Sequence, residues 1–170
     1  MTSFLDGAAR SGGGGGAAQH LTFQLAGEEF AFGILRVKEI LEYDTITRVP
    51  NVPPPVRGVI NLRGSVVPVM DLGLLFGSAP TPITKRTCIV IVETKREGQQ
   101  LVMGILAESV SQVVDLPDTA IEPPPAFGTG VHAEFLAGLG KLDDRKFVLI
   151  LDIDRLLAGI ALPTLPAAAA

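Results

Sequence analysis

Little in this sequence is equipped for covalent chemistry. Its 170 residues hold one cysteine, two histidines, one tyrosine and no tryptophan. A single cysteine, Cys88, closes no internal disulfide and founds no metal cluster, and its neighbours Ile89, Val90 and Ile91 suggest a buried strand position. Neither His20 nor His132 has a spaced partner of the His-Glu-x-x-His kind. Asp118, Glu122, Asp143, Asp144 and Asp154 stand in turns or near helix starts, where solvated and capping roles are the default. The glycine run at 12–16 lacks both a preceding strand and a following Lys-Ser, so it is no phosphate loop. No catalytic constellation remains, and no metal or cofactor is expected.

Charge and long apolar runs are also scarce. Only 19% of residues are charged, and fourteen Lys and Arg against eighteen Asp and Glu leave a net charge of −4. No stretch is basic enough to track phosphates, which argues against nucleic acid as a partner. The longest apolar runs, such as 147–151, fall far short of the ~20 residues of a spanning helix. Residues 1–18 contain no apolar core of a signal peptide or anchor, so we expect a disordered Gly-rich tail, no direct membrane insertion and a cytoplasmic protein. With 47% hydrophobic residues and so little charge, apolar surface beyond the core is expected, as in a binding protein.

What is present is strand pattern punctuated by glycine and proline. Leu21, Phe23 and Leu25 alternate with polar residues, Ala26 to Glu29 form a polar turn, and Phe30 to Ile34 return. Leu35 to Leu41 reads as a strand or a short helix, because Ile34, Val37, Ile40 and Leu41 have helical spacing while Val37 and Ile40 are β-branched. A strand through Ile46, Val49 and Val52 should end in the proline loop at 50–55. Around Arg63-Gly64, the runs 59–62 and 66–70 predict a hairpin, with Pro68 pointing to an edge strand or a bulge. Asp71 should cap a short apolar helix that Gly77 ends. After a linker at 77–84, strands are expected at 87–92, 101–106, around 110–116, at 137–142 and at 147–151, then Asp152 and a helix at 153–157.

These elements form a repeat. Each half holds a hairpin with a central glycine (Gly33, Gly104), a Val-rich piece, a triple proline (53–55, 123–125), and a closing hairpin, Asp and helix (Gly58, Asp71, Gly77; Gly138, Asp152, Gly159). The second copy carries an added piece at 128–134. Two copies of about five strands each, with no crossover helix between them, predict two small closed barrels, one at about 19–77 and one at 86–159, packed as one unit. Residues 160–170 would be a low-complexity tail. A groove between such halves suits a small ligand, which keeps open a small-molecule-binding or enzymatic barrel as the alternative function. A functional residue should differ between the copies, and Arg63 does: the second turn reads Asp143-Asp144-Arg145. Glu39 would pair with Arg63 if its segment crosses the hairpin turn, positioning the arginine while stabilising the fold little.

Val37-Lys38-Glu39-Ile40, Asn51-Val52-Pro53, Arg57 to Gly64 and Val67 to Leu72 together resemble the CheW family of chemotaxis coupling proteins, in register over about residues 19–159. Gly138-Leu139-Gly140 and Asp152 to Leu157 resemble its closing pattern. The resemblance implies a mainly β fold of two five-stranded SH3-like β-barrels with short helices. It also implies a non-enzymatic adaptor between methyl-accepting chemotaxis receptors and the regulatory domain of the histidine kinase CheA, in arrays at the inner face of the membrane. By motif match, Val37, Glu39 and Arg63 would be receptor-binding and Gly58 kinase-binding. With no kinase catalytic region and no receiver, the chain resembles the single-domain member. The Gly-rich N-terminal segment and the three prolines at 53–55 depart from the family pattern.

Overall fold

A computed structural model describes residues 17–96, 98–123 and 133–158. Eleven strands occur among them: β1 (Ala17–Leu25), β2 (Glu28–Gly33), β3 (Val37–Glu42), β4 (Val56–Leu62), β5 (Ser65–Met70), β6 (Cys88–Arg96), β7 (Gln99–Ala107), β8 (Ser109–Pro117), β9 (Ile121–Glu122), β10 (Leu136–Lys141) and β11 (Phe147–Leu151). Two short helices, α1 (Leu72–Leu75) and α2 (Ile153–Ala158), follow β5 and β11. The strands form a six-stranded sheet, β8-β1-β2-β11-β10-β9, and a five-stranded sheet, β3-β6-β7-β5-β4. This is the mainly β, two-barrel SH3-like arrangement the sequence implied. The sixth strand is the two-residue β9, whose counterpart in the other barrel is a single bridge, Thr47 to Val59.

The copies are visible in the register. Bulges between Val56 and Gly58 and between Leu136 and Gly138 mark the two closing hairpins. Parallel pairs join β5 to β7 and β11 to β2. Yet these parallel partners come from opposite copies, so each opening hairpin completes the barrel of the other half. The five-stranded barrel is therefore the continuous segment 37–107, and the six-stranded one combines 17–33 with 109–158. This partition differs from the expected units 19–77 and 86–159. Apolar alternation reports which face of a strand is buried, not which copy supplies its neighbour.

Three apolar clusters follow from this arrangement. One fills the five-stranded barrel (Val67, Val69, Ile89, Ile91, Leu106), and a smaller one fills the six-stranded barrel (Ala31, Leu116, Val148, Ile150). The largest lies between them, drawing Phe23, Phe30 and Phe32 from one sheet and Val90, Met103 and Ile105 from the other. Phe76, just past α1, stacks on Phe30 at 5.7 Å and meets Phe135 at 6.3 Å, so rings continue across the seam.

Local differences have local causes. The segment expected as strand or short helix is both, a 3-10 turn at Ile34–Arg36 and then β3. The strand expected at Ile46 to Val52 contracts to the Thr47 bridge. Pro68 lies in β5, which is flanked by β7 and β4 and is no edge; the parallel register with β7 begins only at Val69, so no ladder bond needs its missing N–H. β1 starts at Ala17, two residues before the expected boundary. Cys88 is half-buried at the start of β6. His132, Gly159, Pro124, Pro125 and the remainder of both tails lie outside the described residues.

Candidate functional site

The β4–β5 hairpin turns on two residues, Arg63 (φ 51) and Gly64 (φ 86), both left-handed as a type I′ turn requires. Asn61 Oδ1 accepts from the Gly64 N–H at 2.9 Å, which offsets part of the cost of holding an arginine at positive φ. The side chain of Arg63 stands 72% exposed at the tip.

Glu39 approaches this tip from β3. A bulge between Val37 and Glu39 turns Glu39 toward the barrel interior, opposite Ile91. Its side chain is only 9% exposed, and both oxygens accept from Arg63, Nη1 to Oε2 at 2.7 Å and Nη2 to Oε1 at 3.0 Å. The expected pair exists, but it is two-pronged and lies partly inside the barrel mouth. Hydrogen bonding to Glu39, and then its charge, push the guanidinium above its ordinary pKa. Glu39 thus aims Arg63, and Arg63 neutralises a carboxylate that would otherwise be buried alone.

The second barrel lacks this device. Aligned through the bulges and parallel pairs, Gln112 of β8, opposite Thr22, takes the place of Glu39. Asp143 and Asp144 stand where Arg63 would be. Val37 is half-buried against the central cluster, beside Val92. It adjoins the Glu39–Arg63 pair along β3.

Gly58 is buried in β4 at φ +150. A Cβ there would fall 2.2 Å from the Thr47 carbonyl oxygen and 2.7 Å from Ile46 Cγ2. The glycine therefore lets β4 close onto the Thr47 bridge and offers no side chain to a partner. Gly138 does the same against Glu122 and Ile121 in the other barrel.

Asp71 caps α1 as expected, and it does more. Completely buried, it accepts from Gly73 N (2.9 Å), Thr81 N (2.8 Å), Thr81 Oγ1 (2.6 Å) and Arg57 Nη1 (2.8 Å). Arg57 and Thr81 were not singled out from the sequence. The signal for Arg57 was present, because the repeat aligns it with Ala137.

A cleft of about 330 Å³, bordered by residues of both barrels, is lined by Leu35, Arg36, Glu93, Thr94, Lys95 and Asp154. Most of its polar groups are already paired: Arg36 bonds Asp154 at 2.8 Å, Thr94 donates to Asp154, and Glu93 takes Lys38 at 3.5 Å from outside the cleft. The space between the barrels is otherwise occupied by the central apolar cluster, which disfavours a small-molecule or enzymatic site there. Among the described residues, no group of three His, Cys, Asp or Glu could hold a metal ion.

Comparison with known proteins gives one answer. Residues 19–161 match a family model described as CheW-like domain. Chemotaxis protein CheW of Klebsiella aerogenes is 38% identical over 140 residues, covering 82% of this chain and 81% of that protein. Chemotaxis protein CheW of Helicobacter pylori is 33% identical, with 82% and 81% covered. Among solved structures, the scaffolding protein TtCheW from Thermoanaerobacter tengcongensis superposes with a TM-score of 0.71 at 33% identity, over 80% of this chain and 89% of that one.

Proposed function

The chain belongs to the CheW-like family, and on that premise we infer that it couples methyl-accepting chemotaxis receptors to the histidine kinase CheA in signalling arrays. It is a non-enzymatic chemotaxis scaffold. The observation that carries the coupling role is the exposed Arg63, held in a fixed direction by buried Glu39 in only one of two otherwise matching barrels. Two guanidinium N–H groups are taken by Glu39, and the remaining ones, fixed in direction at the exposed hairpin tip, can donate to carbonyl or carboxylate oxygens of a protein partner at low ordering cost.

In this reading Val37, Glu39 and Arg63 form the receptor-binding edge. Gly58 supports kinase binding by keeping β4 in place, since its own surface is buried. The protein works on the cytoplasmic side, beneath the receptors. Among the described residues no helix is long and apolar enough to cross a membrane.

Co-sedimentation with a receptor signalling fragment and CheA, with kinase activity measured in both fractions, tests the reading. Wild-type chain should enter the pellet with both partners and raise kinase activity. Absence of both effects would refute it. To test the edge, Glu39→Gln and Arg63→Gln are combined, which removes the guanidinium without stranding a charge. The double variant should keep its fold and its kinase binding and lose receptor binding; unchanged receptor co-sedimentation would remove Arg63 from the site.

A further inference from the structure

The six-stranded barrel is built from two stretches, 17–33 and 109–158, that the whole five-stranded barrel separates in sequence. Its β1–β2 hairpin is a plug set between strands of the second stretch, antiparallel to β8 on one side and parallel to β11 on the other. Leu21, Phe23, Leu25, Phe30 and Phe32 carry the plug into the central cluster, and all five are buried. A single crossing, residues 34–36, joins it to β3. That crossing is lightly held. Gly33 and Val37 on its two sides already have ψ of strand type, 131° and 120°, so three residues in a 3-10 turn are all that interrupts a continuous strand from β2 into β3. Ile34 and Val37 are β-branched and favour the extended form, which is why this stretch reads as either strand or helix in the sequence. Leu35, 94% exposed, has almost no packing to give up on straightening. The turn would lose the Val37 N–H bond to the Ile34 carbonyl, the partial burial of Ile34 and the Arg36–Asp154 pair, whose side chains are about half-exposed and contribute little.

We propose that two copies of this chain exchange their β1–β2 hairpins: the crossing at 34–36 straightens, and each hairpin completes the six-stranded barrel of the other copy. The fold itself selects this occupant. The slot between β8 and β11 matches one element, this hairpin, in register and in apolar face. Every contact of the hairpin with its barrel and with the central cluster is remade in the second copy, and only the three crossing residues change their surroundings. A short crossing favours that outcome, since three extended residues reach about 10 Å and carry the hairpin away from its own barrel. The exchanged dimer holds two complete five-stranded barrels on one body, so each of their surfaces is presented twice. None of this depends on which partners the chain couples.

The test uses the full chain carrying Cys88→Ser, Gln19→Cys and Asp115→Cys, which puts one thiol on β1 and another directly opposite on β8. The reduced protein is unfolded, refolded at high and at low concentration, separated by size and then oxidised. Concentrated refolding should give a fraction of twice 17.8 kDa that runs as a covalent dimer without reductant, whereas the monomer fraction should close its disulfide within one chain. Wild-type chain and a variant with Gly-Ser-Gly inserted after Leu35 are refolded beside it and weighed by light scattering. Wild type should give the same dimer fraction. The insertion lets each hairpin fold back on its own barrel, so it should remove most of that fraction and leave the thermal midpoint of the monomer little changed. Wild-type chain that stays monomeric after concentrated refolding would overturn the exchange. So would a dimer whose disulfides all lie within single chains, or a dimer fraction that the insertion leaves unchanged.

Discussion

Replacing Asp71 by alanine should destabilise the protein far more than replacing its counterpart Asp152, although both cap a helix after a closing hairpin. The Asp71 carboxylate is fully buried and takes four hydrogen bonds. Its removal strands the Gly73 N–H, the Thr81 N–H and the Thr81 hydroxyl, each at a cost of about 1–3 kcal/mol if no new partner is found. Arg57, 26% exposed, can turn toward water. Three such costs come to about 3–9 kcal/mol, and because water or a rotated Thr81 hydroxyl can satisfy part of them we expect the lower half, about 3–5 kcal/mol, the range found when one member of a buried ionic network is deleted. Asp152 is half-buried, and its side chain accepts one backbone bond, from Arg155 at 3.1 Å, with Arg155 Nε 3.6 Å away. Losing that cap costs about 1 kcal/mol. For a domain of this size the thermal midpoint should drop by about 10–15 °C for Asp71→Ala and about 3 °C for Asp152→Ala. Urea unfolding followed by circular dichroism supplies the free energies and calorimetry the midpoints. Equal losses at the two positions would show that the capping geometry alone matters and that the Thr81 and Arg57 contacts add nothing.

Gly58→Ala should lower stability by about 3 kcal/mol or more, through the clash with Thr47 and the strained φ, and should weaken kinase binding only in proportion to the unfolded fraction; denaturant melts beside binding at low temperature would separate the two, and kinase binding lost in a fully folded variant would contradict it. Cutting the chain between residues 80 and 81 divides both barrels, so each fragment alone should lack a cooperative melt while the mixture regains one; a fragment that folds alone would refute the interchange of hairpins. Burial lowers the pKa of His20 from its ordinary 6.5, against a smaller opposing effect of the Ala18 carbonyl. The unfolded chain then takes up the proton first, so stability should fall as pH drops below about 6.5, and His20→Gln should flatten that part of the curve. An identical pH profile in the variant would show that His20 is not responsible.

Much of this was legible in the chain itself. The hairpin at Arg63-Gly64, the Asp71 cap and Gly77 at the helix end each rest on neighbours in sequence, and each was found where local chemistry put it. Val37, Glu39 and Arg63 came from motif match, and Glu39 with Arg63 from the further thought that their segments cross. Thr81 escaped because its partner Asp71 lies ten residues away across a proline-rich linker.

What the sequence by itself determined is a pair of β-rich copies, their caps and turns, and a turn arginine, Arg63, without a counterpart, since these follow from spacing, backbone preference and comparison of the halves. Which copy's hairpin completes which barrel was decided only in three dimensions. A parallel neighbour is chosen by long-range packing, and β2 and β7 find theirs in β11 and β5. The same is true of Glu39's burial. A bulge turns its carboxylate into the barrel mouth, and a pair that looks like a surface contact in one dimension becomes the brace of an exposed arginine.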